Sequence, residues 1–254
     1  ARAPAKALSV VFTGVRDTLR DGAISGAQIA VIVAVCGILV DLVAVTGFAQ
    51  KLSFQMLSIA GDSRILLLVL AAVSCLVFGL GLPTSAAYIV VALLGAPALV
   101  EAGVPLLAAH FFVLYYANVS SVTPPVALAA LVASKISKGS FFGTTFVAMR
   151  LALPGFVLPF LFVAHPEIML IDTTIWAALI YALVVLAGLV ALIAAMEGYL
   201  FGPLNPALRG ILVLCAAGTF APGWIGSAAG VALFAAVVLW QAFLSPTAKA
   251  EASN

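Results

Sequence analysis

The sequence predicts an all-α integral membrane protein, and three observations carry that prediction. Of the 254 residues, 65% are apolar and only 8% are charged, whereas soluble domains average about 45–50% apolar and roughly 25% charged residues. Several apolar runs are long enough for a helix that crosses a bilayer. Two further apolar runs are interrupted by glycine, proline and hydroxyl residues. Such irregular backbone is stable at membrane depth only where it is buried in protein or lines a watery cavity.

Composition and short motifs argue against other classes of protein. The net charge is only +2, and no basic run with interleaved aromatic residues is present, so nothing indicates binding to nucleic acid. The three cysteines are isolated within apolar runs, which is typical of small core residues. The chain contains neither an HExxH zinc motif nor a GxSxG nucleophile motif, so an enzyme is not indicated.

The start of the chain is polar, and the first apolar run follows it. Residues 1–22 contain a cluster of charged side chains and are predicted to form an amphipathic cytoplasmic lead-in. Residues 23–48 are predicted to form the first span, because a helix of this length, at a rise of about 1.5 Å per residue, is long enough to cross the bilayer. Residues 51–64 are predicted to be a polar connection that closes on a Gly61-Asp62-Ser63 turn. No methionine opens the chain, so we expect it to be the middle of a longer protein.

The first interruption predicts a re-entrant hairpin over residues 65–94. Apolar runs over residues 65–78 and 86–94 flank the stretch GLGLPTS. Neither run alone covers about 30 Å of hydrocarbon. Two half-length helices that meet at a glycine and proline tip are typical of a segment that enters the membrane and returns to the same side.

The second interruption predicts a discontinuous helix over residues 104–134. The apolar run 104–118 is broken by the stretch VSSVTPP and resumes over residues 126–133. Pro124 and Pro125 cannot donate backbone hydrogen bonds, and their rings clash with the preceding turn of a helix. A span over residues 142–163 follows, and the family resemblance given below implies that residues 23–164 form one transport-domain repeat.

The remainder, residues 165–244, is predicted to form C-terminal membrane helices, followed by a polar tail over residues 245–254. Residues 175–196 read as a clean span, whereas Pro222 and Gly223 interrupt the run 211–243 and leave its number of crossings open. Basic residues concentrate on the side where the chain starts, so that side is predicted to be cytoplasmic. They are Arg2, Lys6, Arg16, Arg20, Lys135, Lys138 and Arg209.

Broken helices offer backbone groups that no partner within the helix satisfies. The N-terminus of a half-helix suits a carboxylate, whereas a C-terminus and unwound carbonyls suit a cation such as Na⁺. The two breaks lie about 40 residues apart, and each is rich in hydroxyls. The pattern therefore predicts a transport site built from both breaks, with a channel or a structural membrane subunit as the alternative.

The sequence resembles the tripartite ATP-independent periplasmic (TRAP) transporters, in particular the fused permeases of the TAXI subgroup. The stretches GLGLPTSAAYIV, SSVTPPVALAAL and MRLALPGFVLPFLFVAHPEIML carry the resemblance. It implies an elevator-type permease of two inverted repeats in the bacterial inner membrane, of which this chain supplies the second. The N-terminal half of the permease and a small membrane domain are then missing partners. A periplasmic substrate-binding protein would deliver a small organic acid.

Candidate site residues follow from the breaks and from the resemblance. The expected coupling ion is Na⁺, held by Gly79, Gly81, Thr84, Ser120 and Thr123. The expected substrate site is formed by Thr84, Ser85, His110, Ser121, Pro124 and Pro125. The alternative coupling ion is H⁺, for which Asp41 and His110 form a possible path, because a histidine can relay protons. A charged, unpaired carboxylate within a span is costly, so Asp41 is either part of such a path or a shallow, water-facing or protonated side chain.

Overall fold

The computed structural model of the protein describes residues 3–221 and 223–244, which form eleven α-helices joined by short turns. These residues contain no β-strand, so the all-α prediction is confirmed. The predicted tail 245–254, the first two residues of the lead-in and Pro222 lie outside the described residues. The helices are α1 (Ala3–Thr46), α2 (Phe48–Ala60), α3 (Arg64–Gly79), α4 (Thr84–Glu101), α5 (Leu106–Val119), α6 (Leu128–Ser137), α7 (Phe141–Leu151), α8 (Leu153–Ala164), α9 (Ile175–Glu197), α10 (Pro206–Phe220) and α11 (Trp224–Leu239).

Four segments of the described chain are long and apolar enough to cross a membrane. They are Thr84–Glu101, Phe141–Ala164, Ile175–Glu197 and Trp224–Ala242. A fifth arises if the end of α1 and the whole of α2, which are bent by 65°, count as one span. Large apolar side chains such as Trp176, Ile180 and Leu183 are exposed on α9. This outer surface suits hydrocarbon, as expected for an integral membrane protein.

The N-terminal region is more helical than the sequence predicts. Helix α1 is continuous from Ala3 to Thr46, so no break separates the predicted lead-in 1–22 from the first span. Gly47 ends α1 with a positive φ of 63°. The predicted polar connection 51–64 is wrong for most of its length, because α2 occupies residues up to Ala60. The overall polarity of this segment hides a helical pattern, because the buried positions of α2 recur every three or four residues. They are Ala49, Ser53, Met56 and Ala60.

The first interruption is a helical hairpin. Helices α3 and α4 meet at a tip of four residues, 80–83, in which Gly81 has a φ of 76° that favours glycine. The second arm is longer than predicted and ends at Glu101 rather than at residue 94. The reason is that α4 accommodates Pro97 within the helix, whereas a proline often marks a helix end.

The second interruption separates α5 from α6. A 3₁₀ turn, Ser120–Val122, ends α5, and the peptide bond between Pro124 and Pro125 is cis. Ala127, with a φ of 38°, begins α6. The helical parts run over residues 106–137 instead of the predicted 104–134. The span predicted over residues 142–163 corresponds to the candidate span Phe141–Ala164, within which α7 and α8 meet at Ala152, next to the proline at the start of α8.

Two apolar cores organise the described residues. One is shared by α2, α3, α4, α5 and α8 and contains Phe112, Leu99 and Val91 at its centre. The other lies among α9, α10 and α11. A small cluster of Leu161, Val185 and Leu189 connects α8 to α9. The first core therefore holds both interruptions, and the second consists of the C-terminal helices.

Candidate transport site

The hairpin tip and the broken helix meet at Gly79 and Ser120. The Ser120 hydroxyl lies 3.1 Å from the carbonyl oxygen of Gly79 and 2.7 Å from that of Ala117, and it is buried. A Cβ atom on Gly79 would lie only 2.9 Å from Ser120 Oγ. The glycine thus lets the C-terminal end of α3 approach the C-terminal end of α5. We call this contact the tip–break junction.

The tip also approaches the segment that follows the two prolines. A Cβ atom on Gly81 would lie 3.6 Å from Val126 Cγ1, which is ordinary van der Waals distance. Space is therefore available at this position, and the positive φ is what favours glycine. Together, Gly79 and Gly81 place both sides of the tip against the break.

The hydroxyl groups of the break all return to the backbone of α5. Ser121 Oγ donates to Asn118 O at 2.7 Å, and Thr123 Oγ1 donates to Val119 O at 2.7 Å. A hydroxyl has one proton to donate and two lone pairs that accept. Because these protons are used locally, the oxygen atoms keep their lone pairs for a cation or for a donor.

Two helices begin next to the junction without a side-chain cap. Pro83 precedes α4 and Ala127 precedes α6, and neither supplies a capping hydrogen bond. The backbone N–H groups of Thr84 and Ser85 have no acceptor among the described residues. Helix N-termini carry partial positive charge and C-termini partial negative charge. The tip and the break therefore bring both kinds of helix end into one region.

Helix α8 supports the end of α5 from behind. The Tyr116 hydroxyl donates to the carbonyl of Phe156 at 2.8 Å. A Cβ atom on Gly155 would lie 2.9 Å from Val119 Cγ1, so the two helices are in close contact at the last residue of α5. These contacts fix the position of the turn that contains Ser120.

His110 lies away from the junction and pairs with the second arm of the hairpin. Its Nδ1 is 2.9 Å from the Tyr88 hydroxyl, and both side chains are partly buried. Ten residues separate His110 from Ser120, which corresponds to about 15 Å along α5. The sequence analysis missed Tyr88. A signal was present, because Tyr88 follows Thr84 by four residues and thus lies on the same face of α4.

The remaining predicted site residues are not joined by direct contacts. Asp41 is exposed on α1 and forms no hydrogen bond or ion pair with the described residues. Thr84, Ser85 and Pro125 are exposed, whereas Ser121, Thr123 and Pro124 are partly buried. Within the described ranges, no group of three or more histidine, cysteine or acidic residues could hold a metal ion.

Comparison with known proteins identifies the family. Residues 6–193 match the family described as the tripartite ATP-independent periplasmic transporter, DctM component. The match covers both interruptions and most of the chain. No curated protein and no solved structure matches the chain significantly. The chain belongs to the DctM family and is a large permease component of a TRAP transporter.

Proposed function

We propose that this permease imports a small organic acid together with Na⁺, and that the tip–break junction binds the ion. The observation that carries the proposal is the contact between Ser120 Oγ and Gly79 O, where the C-terminal ends of two broken helices meet. Such paired breaks are where secondary transporters bind substrate and coupling ions. The family supports the transport function, and the geometry supports the assignment of the ion site.

Electrostatics favours a monovalent cation at this point. Each helix C-terminus carries roughly half a negative charge, so the ends of α3 and α5 together attract about one positive charge. Carbonyls of Gly79 and Gly81 and hydroxyls of Ser120, Thr123 and Thr84 are the proposed ligands. No carboxylate belongs to this set, and a divalent ion such as Ca²⁺ usually requires carboxylates.

The substrate carboxylate is proposed to bind at the starts of α4 and α6. Their uncapped N–H groups supply partial positive charge, which suits an anion. Thr84, Ser85 and Ser121 provide polar contacts, and Pro124 and Pro125 provide an apolar wall. Moving an anion inward against the membrane potential costs about 2.3 kcal/mol per charge and 100 mV. Co-transported cations offset that cost.

Membership of the DctM family supports the other parts of the proposal. A periplasmic binding protein delivers the acid, a small membrane component accompanies the permease, and the complex lies in the bacterial inner membrane. The repeat that contains both breaks moves as an elevator relative to the rest of the permease. The junction would then carry ion and substrate across as one unit.

The decisive experiment removes two of the proposed ligands. The full-length permease carrying Ser120→Ala and Thr123→Ala should need a several-fold higher Na⁺ concentration for half-maximal uptake, because losing a ligand or hydrogen bond costs about 1 kcal/mol. Ser134→Ala is the matched control, since Ser134 is also buried and also donates to a carbonyl three residues earlier. Unchanged Na⁺ dependence in the double variant, with normal expression, would contradict the proposed ion site.

A further inference from the structure

Two arginine side chains from different helices converge on the C-terminal end of α9. Arg150 of α7 donates through Nη2 to Glu197 Oε2 at 2.8 Å and to Met196 O at 3.3 Å. Arg209 of α10 donates through Nε to Ala195 O at 2.6 Å and through Nη2 to Met196 O at 3.2 Å. One carbonyl oxygen, that of Met196, is thus shared by two guanidinium groups. We call this arrangement the arginine pair.

The positive charge of the arginine pair is only partly balanced. Glu197 contributes one negative charge, and the C-terminus of α9 contributes roughly half of one. Two full positive charges face them, so a surplus of about half a charge remains on the protein side. Glu197 is the one acidic side chain in an ion pair with either arginine among the described residues.

Several N–H donors of the pair are left over. Arg150 uses only Nη2, and Arg209 uses only Nε and Nη2, so Nη1 of each has no acceptor among the described residues. The side chain of Arg150 is 47% exposed, and Arg209 is exposed as well. Unused guanidinium N–H groups can donate charge-assisted hydrogen bonds to the oxygen atoms of a phosphate group.

The arginine pair lies where a spanning helix ends. Helix α9 has 23 residues and is predominantly apolar, so it is long enough to reach from one membrane surface to the other. Directly after it come Tyr199 and Phe201, which are 58% and 60% exposed. Exposed aromatic side chains next to the end of a span are typical of the level of the lipid headgroups. Phosphate groups of lipids are the anions that this level provides.

We propose that the arginine pair binds the headgroup phosphate of an anionic glycerophospholipid. The lipid would contact α7 and α10 at once and would tie α7 to the C-terminal end of α9, which belongs to the second core. Each arginine near a membrane surface strengthens the binding of anionic lipid by about fivefold. Nothing in this proposal depends on the nature of the coupling ion or of the substrate.

Native mass spectrometry of the purified full-length permease tests the site. The protein is titrated with palmitoyl-oleoyl phosphatidylglycerol and, separately, with the phosphatidylcholine of the same chains. Because Glu197 and the end of α9 offset most of the charge, the wild type should bind the anionic lipid about fivefold more tightly, and Arg150→Gln with Arg209→Gln should reduce that preference to within about twofold. Lys135→Gln with Lys138→Gln is the control, since both lysines are exposed and outside the pair; it should keep the preference.

A second pair of variants and a competition experiment complete the test. Should the double glutamine variant not fold, Arg150→Lys and Arg209→Lys retain the charge and lose the forked donors, so a reduced preference still supports the site. Equal loss in the lysine control would show unspecific surface attraction and overturn the proposal. Displacement of the lipid by millimolar inorganic phosphate would assign the site to a free anion and overturn it too.

Discussion

The tip–break junction and the C-terminal helices both depend on glycines at close contacts, but for different reasons. In the C-terminal helices, Gly188 faces Thr219 so closely that a Cβ atom would overlap its hydroxyl, and Gly230 lies against the backbone of α10. At the junction, Gly79 faces Ser120. The first contacts join unbroken helices along their sides, whereas the second joins the ends of broken helices.

We expect the close contacts in the C-terminal helices to serve packing and the contact at the tip–break junction to serve ligand binding. Along the side of a helix, backbone N–H and C=O groups bond within the helix, and a close approach adds only van der Waals contact. At a helix end, carbonyl groups have no partner within the helix and can bond to a side chain or a ligand, as Gly79 O does with the Ser120 hydroxyl. Substitutions of glycine in the two regions should therefore have different consequences, one for stability and the other for transport.

The largest effect is expected for Gly230→Ala. A Cβ atom would lie 2.6 Å from Thr219 N and 2.7 Å from Cys215 O, both of which belong to rigid backbone. Overpacking of this kind costs about 1–3 kcal/mol, so the yield of folded permease and its thermal unfolding temperature should fall. Gly210→Ala, where nothing lies within 4 Å, is the control in the same helical region. Equal thermal stability of the two variants would refute the packing argument.

A smaller effect of another kind is expected for Gly79→Ala. The new methyl group pushes Ser120 away from the tip, and its hydroxyl can turn, so folding should suffer less than in Gly230→Ala. Uptake at limiting Na⁺ should fall about tenfold, because a shift of one ångström at a binding site is costly. Gly26→Ala on α1, which has open space around it, should transport normally. Uptake and stability that fall in parallel would mean that the junction serves packing alone.

The smallest effect is expected for Tyr88→Phe. The change removes the hydroxyl that bonds to His110 and keeps the ring. One hydrogen bond contributes about 0.5–1.5 kcal/mol, so uptake should fall about two- to tenfold. Tyr181→Phe is the control, because the Tyr181 ring stacks on His165 and its hydroxyl forms no hydrogen bond with the described residues. Wild-type uptake by Tyr88→Phe would remove His110 from the account.

The sequence is informative wherever one residue type determines the local structure. The two interruptions are predictable because Gly81, Pro124 and Pro125 impose backbone that a continuous helix cannot adopt. The hydroxyl residues of the break are likewise visible in the sequence. The second arm of the hairpin continues past Pro97, because a proline inside a membrane helix is tolerated when neighbouring groups compensate.

The sequence is uninformative where a contact depends on how helices pack. Tyr88 and His110 lie 22 residues apart on different helices, and Arg150 and Glu197 lie 47 residues apart. No spacing rule connects such pairs. Helix α2 is a different case, because small and apolar residues recur in it at helical spacing. That spacing predicts a helix, but the polar residues between these positions make the segment look like a polar loop.

The most direct test of the ion site measures which gradient drives uptake. The full-length permease, reconstituted with its binding protein in liposomes, receives either an inward Na⁺ gradient at equal pH or an inward proton gradient without Na⁺. We expect accumulation of the acid with the Na⁺ gradient alone, and a weaker response in the Ser120→Ala and Thr123→Ala double variant. Accumulation that follows the proton gradient and ignores Na⁺ would contradict this expectation.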